Sequence, residues 1–356
     1  MTPLRVVIAG GGTGGHLYPG IAVAREFLRR LPDTVVTFAG TQRGIESRVG
    51  FELDVLRSAG LKGTSPAALI KGLSLLPLSA VDAWRILSRR RPHLVIGVGG
   101  YSSGPVVALA ALRGVPTMLL EQNAVPGFTN RRLAKVVSAA AVTFESTAKF
   151  FGRRAIVTGN PVRPEFLAGT DNAAAGGPPR VLIFGGSQGS HAINVACVEA
   201  APLLAASGRQ LAITHQTGER DLEWVRDAYR RAGLDARVEP FLFAMDREIK
   251  AADLVISRAG ATTIAELTAA GKPAVLVPLP TAADDHQRKN AELLRDAGAV
   301  EVIEQKDLTG ERLAARVMEL TADAERLAAM SAAARSLARP DAAKLIVDCA
   351  LELVNG

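Results

Sequence analysis

Short apolar runs alternate with longer amphipathic stretches through the first half of the chain. Leu4–Ala9, Thr34–Ala39, His93–Val98, Thr117–Glu121 and Ala139–Phe144 predict strands, and Pro19–Leu31 predicts a helix. Such alternation specifies a parallel, doubly wound sheet. The pattern breaks at Asn172–Pro179, which is rich in Ala, Gly and Pro, and then restarts. Val181–Phe184, Leu211–His215, Leu254–Ser257 and Ala274–Val277 predict the second set of strands. The fold expected is therefore α/β, with two doubly wound Rossmann-like domains, residues 1–159 and 160–338. Residues 339–356 form a last helix opened by Pro340-Asp341, with Leu345, Ile346, Cys349, Ala350 and Leu353 on its apolar face. That face can pack back on the first domain.

Composition adds limits. At 356 residues, 48% hydrophobic and 22% charged, the chain is an ordinary globular protein rather than a disordered one. Cys197 and Cys349 fall on apolar helix faces and read as small core residues, leaving no disulfide framework and no Cys-based zinc site. No secretory signal is visible at the start. Pro92–Leu112 is uncharged and of bilayer-spanning length, but Gly97, Gly99, Gly100, Gly104 and Pro105 break it into strand, loop and helix.

The net charge of +7 hides an asymmetry. Residues 1–158 carry 20 Lys and Arg against 8 Asp and Glu, whereas the remainder carries 22 against 27. The basic half indicates a polyanionic partner: nucleic acid, anionic lipid or a phosphorylated substrate. Aromatic residues at only 4% supply few base-stacking platforms, which argues against nucleic acid.

Glycine loops carry the chemistry. Gly10-Gly11-Gly12-Thr13-Gly14-Gly15-His16 and Gly185-Gly186-Ser187-Gln188-Gly189-Ser190-His191 share the pattern Gly-Gly-x-x-Gly-x-His, each after the first strand of its domain. Gly99-Gly100-Tyr101-Ser102-Ser103-Gly104 is a third loop. Strand, Gly loop and helix N-terminus together bind phosphate through backbone N–H groups and the helix dipole. One such loop is explained by a tight turn alone; three point to phosphate or pyrophosphate. The first also fits Gly-x-Gly-x-x-Gly, but no acidic residue stands where a ribose would need one, and Arg43 leaves NADP as an alternative. There is no Walker sequence. In the second half, Ser257-Arg258-Ala259-Gly260-Ala261-Thr262-Thr263 leads to Glu266, read as a first-turn carboxylate that either caps the helix with Thr263 or accepts two ribose hydroxyls. Gln287 and Asn290 share a helical face suited to sugar hydroxyls, and Asp284-Asp285 read as helix-start acids rather than a metal pair.

The ordered set of the first loop, Gly99–Gly104, Glu121-Gln122-Asn123, Gly159-Asn160-Pro161-Val162-Arg163, the second loop and Arg258-Ala259-Gly260-Ala261 resembles the MurG family of bacterial peptidoglycan N-acetylglucosaminyltransferases over nearly the whole chain. The resemblance implies a GT-B fold whose two domains face a cleft. It also implies inverting transfer of GlcNAc from UDP-GlcNAc to undecaprenyl-pyrophosphoryl-MurNAc-pentapeptide at the cytoplasmic face of the membrane, with no cofactor. By the same resemblance Ser187 and Arg163 meet the diphosphate, Glu266 the ribose, the Leu242 backbone the uracil, and Asn123 and Gln287 the GlcNAc hydroxyls. Thr13, Gly14 and Gly15 close over the donor, with Ala261, Thr262 and Asn290 counted among the donor contacts. Gly15, His16, Gly100, Tyr101, Ser102 and Ser103 are the positions expected to meet the acceptor pyrophosphate. His16 is the expected base for the muramyl 4-hydroxyl, its pKa lowered by the helix dipole, with Glu121 and Tyr101 as further catalytic candidates. Phe241-Leu242-Phe243-Ala244-Met245 lacks the acidic pair that can precede the Met, and His286 stands where a Gln can occur.

Ala67–Leu78, apolar with Arg85 and Arg89–Arg91 beyond, reads as an interfacial membrane patch or as a buried helix. Three other functions remain consistent with the loops: a UDP-GlcNAc 2-epimerase, an NADP oxidoreductase, and a non-catalytic sugar-nucleotide sensor.

Overall fold

The computed structural model describes residues 3–11, 14–41, 50–57, 66–167, 177–186 and 188–356. Contacts group these into two compact units, one of Met1–Arg163 with Arg339–Gly356 and one of Pro164–Ala338. The Gly159–Arg163 segment thus goes with the first unit.

The first unit runs β1 (Arg5–Gly10), α1 (Gly14–Arg30), β2 (Val35–Gly40), β3 (Glu52–Val55), α2 (Pro66–Arg90), β4 (Leu94–Gly99), α3 (Ser103–Leu112) and β5 (Thr117–Glu121). It continues with α4 (Phe128–Leu133), β6 (Ala139–Val142), α5 (Glu145–Ala148) and β7 (Ala155–Val157). Among the described residues these strands form a parallel sheet in the order β3-β2-β1-β4-β5-β6-β7.

The second unit runs α6 (Pro164–Leu167), β8 (Arg180–Phe184), α7 (His191–Ala206), β9 (Ala212–Gln216), α8 (Leu222–Ala232), β10 (Ala236–Glu239) and α9 (Met245–Ala251). Then come β11 (Leu254–Ser257), α10 (Ala261–Ala270), β12 (Ala274–Leu276), α11 (His286–Asp296), β13 (Val300–Val302), α12 (Gly310–Ala322) and α13 (Ala324–Ser336). Its parallel sheet has the order β10-β9-β8-β11-β12-β13. The last helix, α14 (Ala342–Asn355), belongs to the first unit.

Helices on both faces explain why the central strands are apolar throughout. Val6 and Ile8 of β1 pack with Leu17, Ile21 and Phe27 of α1, while Val7 and Ala9 point the other way toward Ala83, Ile86 and Leu87 of α2 and Val106 of α3. In β8, Val181 and Ile183 face α7, α8 and α12, whereas Leu182 and Phe184 face α9, α10 and α11. The period of two is present, but both phases are buried.

Three local expectations differ from the structure. Helix α1 starts at Gly14 rather than Pro19, because the last glycines of the loop already take up helical backbone. Strands β3, β7, β10 and β13 carried no clear hydrophobic run. In α14 the buried residues are Ala342, Ile346, Val347 and Ala350, so Val347 belongs to the apolar face and Leu345, 42% exposed, does not. That face joins the core beside α1, and Arg30 pairs with Asp348 at its edge. Cys197 is buried and Cys349 half-buried.

Candidate active site

In each sheet the chain proceeds outward in opposite directions from two adjacent central strands. The crevice at their carboxyl ends is where ligands bind in open α/β sheets. In the first unit those strands are β1 and β4, and their loops carry the first and third glycine motifs. The two loops meet closely, through the His16 side chain at Gly99 and backbone to backbone at Gly100. A Cβ on Gly99, at φ +98°, would lie 2.9 Å from Nδ1 of His16, and one on Gly100, at φ +79°, would lie 2.8 Å from the Gly11 carbonyl.

His16, in the first turn of α1, is half-buried against this junction. Its Nδ1 lies 3.3 Å from Oε1 of Gln122, and the Gln122 amide nitrogen donates to the Val98 carbonyl at 3.1 Å. Burial is the main cause that lowers the His16 pKa; the bonds to Gln122 and Val98 oppose it. Glu121, at the end of β5, is buried and its carboxylate accepts from the backbone of Asn123 and Gly127 and from the side chains of Asn123 and Asn130, at 2.8 to 3.4 Å. It fixes the Gln122–Asn130 loop. Ser103 donates its hydroxyl to the Gly100 carbonyl at 2.9 Å, and Ser102 is buried at the N-terminus of α3. An anion here would meet backbone N–H groups of that helix start rather than the Ser103 hydroxyl. Tyr101 is half-buried beside them. Arg163 lays its guanidinium over the ring of Tyr18 in α1, at 4.6 Å.

In the second unit the central strands are β8 and β11. The loop after β8 docks on the Gln216-Thr217-Gly218 turn after β9. A Cβ on Gly189 would fall 1.8 Å from the Thr217 carbonyl oxygen, and one on Gly218 would fall 2.2 Å from that of Gln188. Gln216 donates to the Gly186 carbonyl at 2.7 Å and accepts from the Leu242 N–H at 2.9 Å. After β11, Gly260 supplies the extended N-cap backbone of α10, and Ala261 and Thr262 form its first turn. Arg258 bonds the Val277 and Pro278 carbonyls and Gln305 Oε1, tying β11 to the end of β12; burial lowers its pKa to about 10. Gln287, near the start of α11, accepts from the Leu279 N–H at 3.0 Å. Asp284 and Asp285 before it adopt left-handed backbone, φ 54° and 56°, and Asp285 pairs with Arg288 at 2.7 Å. The described residues hold no cluster of three or more His, Cys, Asp or Glu able to bind a metal ion.

Residues 6–142 match the glycosyltransferase family 28 N-terminal domain, and residues 180–346 match the family 28 C-terminal domain. A protein of Anaeromyxobacter sp. (strain K), named UDP-N-acetylglucosamine--N-acetylmuramyl-(pentapeptide) pyrophosphoryl-undecaprenol N-acetylglucosamine transferase, is 48% identical over 358 residues, covering 99% of this chain and 94% of that protein. A protein of the same name from Pelobacter propionicus is 46% identical over 379 residues, covering 99% of this chain and all of its own length. The crystal structure of Acinetobacter baumannii MurG superposes with a TM-score of 0.79 at 32% identity, over 98% of this chain and 100% of that one. The chain belongs to the MurG group of glycosyltransferase family 28. Its architecture is accordingly GT-B. The UDP-GlcNAc 2-epimerase of Neisseria meningitidis shares the fold, with a TM-score of 0.69 at 14% identity.

Several residues expected from the MurG resemblance are placed differently from their sequence reading. Glu266 is in the second turn of α10, not the first, and the N-cap is Gly260, so no Thr263–Glu266 capping box exists. Asn290 is fully buried and donates to the Ala259 carbonyl at 3.3 Å, which makes it a support for the loop after β11. The Leu242 N–H already serves Gln216, leaving its carbonyl for a base. The two histidines of the glycine repeat are not equivalent, since His191 opens α7 and pairs with Asp221 at 2.8 Å. Thr13, Ser187 and Arg43 lie outside the described residues. Gln122, Gln216 and Asn130 were missed as site supports. For Gln122 and Gln216 the available signal was a polar run directly following an apolar strand; Asn130, inside α4, had no such signal.

Helix α2 also presents an apolar strip. Leu78, Val81 and Trp84 recur at helical spacing and are 40, 43 and 55% exposed, and Leu112 at the end of α3 is 84% exposed. Arg113 covers the Trp84 ring at 5.4 Å, and Arg85 and Arg89 are exposed nearby in sequence. Of the Ala67–Leu78 segment, only the side chains of Leu75, Pro77 and Leu78 are among those described. No helix of the described residues is long and apolar enough to cross a membrane.

Proposed function

We infer that this chain is the inverting glycosyltransferase that moves GlcNAc from UDP-GlcNAc to the 4-hydroxyl of undecaprenyl-pyrophosphoryl-MurNAc-pentapeptide, turning lipid I into lipid II in peptidoglycan synthesis. Identity of 48% over nearly the whole chain to a transferase of that name carries the reading.

Inversion requires one displacement: the acceptor oxygen attacks the anomeric carbon, its proton goes to a base, and UDP leaves from the opposite face. We assign the base to His16. With Nδ1 turned to the Gln122 oxygen, Nε2 keeps its lone pair, and the lowered pKa keeps the ring neutral. Departing UDP gains negative charge, which the N-terminal amides of α7 and α10, with Ser187 and Arg163, are suited to stabilise. Glu266 takes the ribose, the Leu242 carbonyl the uracil, and Asn123 and Gln287 the GlcNAc hydroxyls. Tyr101 and the loop amides around Gly15 and Gly100 take the acceptor pyrophosphate. Glu121 acts through Asn123, as a positioning residue.

We also propose peripheral attachment to the cytoplasmic face of the cell membrane. The strip Leu78, Val81 and Trp84 with its arginines fits the boundary of an anionic leaflet. The basic half of the chain then has pyrophosphate and lipid as its anionic partners, not nucleic acid.

The test is UDP release from UDP-GlcNAc with and without a short-prenyl analogue of the muramyl-pentapeptide lipid. Acceptor-dependent release with GlcNAc on the lipid is expected. Turnover without acceptor would point to a 2-epimerase or hydrolase instead, and absence of turnover despite donor binding would leave only a binding site.

A further inference from the structure

We propose that Gln216 is a positioning residue for the nucleoside diphosphate, fixing the phosphate-binding loop and the base-facing segment at one separation. The inference rests on the donor being UDP-GlcNAc. Gln216 ends β9 and is 1% exposed, yet both ends of its amide are engaged by backbone. Its nitrogen donates to the Gly186 carbonyl in the loop after β8, at 2.7 Å, and its oxygen accepts from the Leu242 N–H, at 2.9 Å. One planar group thereby joins the loop suited to the diphosphate to the segment suited to the uracil. Around it the Gln216–Gly218 turn is held on both sides. Gly189 packs on Thr217 and Gly218 on Gln188, neither with room for a Cβ, and the Thr217 and Gly218 N–H groups donate to the Glu239 and Pro240 carbonyls.

The donor and acceptor ends of the amide are not interchangeable here. A side chain of the same shape with two acceptors would set a lone pair against the Gly186 carbonyl, whereas a protonated carboxyl would restore both bonds. Gln216→Glu is therefore a titratable version of the bridge. Burial and the facing carbonyl hold the introduced carboxyl above its ordinary pKa.

The experiment measures the Kd for UDP and the KM for UDP-GlcNAc and for the acceptor analogue in parent, Gln216→Glu and Gln216→Met, from pH 5.5 to 8, beside each protein's folding midpoint. Loss of UDP binding or of transfer by the parent would sink the functional reading itself. With an active parent, both variants should weaken UDP binding and raise the donor KM roughly ten-fold at pH 8, with the acceptor KM unmoved. Gln216→Glu, but not Gln216→Met, should return toward the parent Kd as pH falls. Parent-like UDP affinity in both variants at pH 8, or a Gln216→Glu defect that ignores pH, overturns the proposal.

Discussion

Gln122 donates its amide N–H to the Val98 carbonyl, at 3.1 Å, and so turns its oxygen toward Nδ1 of His16, 3.3 Å away. That oxygen only accepts, so Nδ1 carries the proton and Nε2 is left as the basic nitrogen. Since burial lowers the His16 pKa below 6.5, the acidic limb of kcat/KM should have its midpoint below that value. Gln122→Leu removes a bond that raises this pKa and frees the tautomer. We expect kcat to fall roughly 10- to 100-fold and the acidic limb to move to lower pH. An unchanged limb and kcat would show that the imidazole is not held this way.

A second histidine sets an acid sensitivity of the second unit. His215 is fully buried between the Tyr229 hydroxyl, at 3.0 Å, and Asn194 Oδ1, at 3.1 Å, and burial drops its pKa from 6.5 to about 3. Between those values the unfolded chain binds a proton that the folded one refuses. The stabilisation is thus complete above pH 6.5 and is lost as pH falls toward 3, at up to roughly 1.4 kcal/mol per unit. Trp84 and Trp224 are the two tryptophans, so Trp224 fluorescence in a Trp84→Phe background follows the second unit alone. Denaturation midpoints should fall from pH 7 to 5, and His215→Gln should flatten that slope. Equal slopes with and without the histidine would refute the assignment.

The exposed strip on α2 gives a surface prediction. Val81 and Trp84 are 43 and 55% exposed, so polar substitution removes little from the fold. Val81→Ser combined with Trp84→Ser should weaken flotation with anionic vesicles by roughly ten-fold or more, since burying those side chains contributes on the order of 2 kcal/mol each. Turnover on a water-soluble acceptor should stay near the parent value. Undiminished flotation would remove the strip from the membrane contact.

Legibility in the sequence followed burial. The central strands were visible because helices cover both faces and leave unbroken apolar runs, as in Val6–Ala9 and Val181–Phe184. The strands that escaped, β3, β7, β10 and β13, are the outer strands of the two sheets. β7 offers only the three-residue apolar stretch Ala155–Val157, and the other three carry charged residues and bury one position each, so no run of ordinary strand length marks them. Loops at the switch points were legible because close backbone contact demands glycine, as at Gly100 against the Gly11 carbonyl. Gln122 and Gln216 were not, because their roles depend on partners that only strand order brings near; His16 and Gln122 are 106 positions apart. The displacement of Glu266 into the second turn comes from Gly260, which starts α10 earlier than the Thr263 pattern implied.

Glu121 supplies the last prediction, because its geometry separates a base from a scaffold. Its oxygens accept from the Asn123 N–H and amide, the Gly127 N–H and the Asn130 amide. Burial raises its pKa while these bonds oppose that shift. With each oxygen facing two N–H donors, the carboxylate is the form that satisfies the arrangement. Glu121→Gln sets an NH2 against N–H groups and leaves buried donors without an acceptor, a cost of about 1–3 kcal/mol. The expected outcome is a lower unfolding midpoint and a higher KM for UDP-GlcNAc through the misplaced Asn123 loop, with the acidic limb of the pH profile where the parent has it. A base would behave otherwise: its loss would abolish that limb and leave stability and donor KM largely intact.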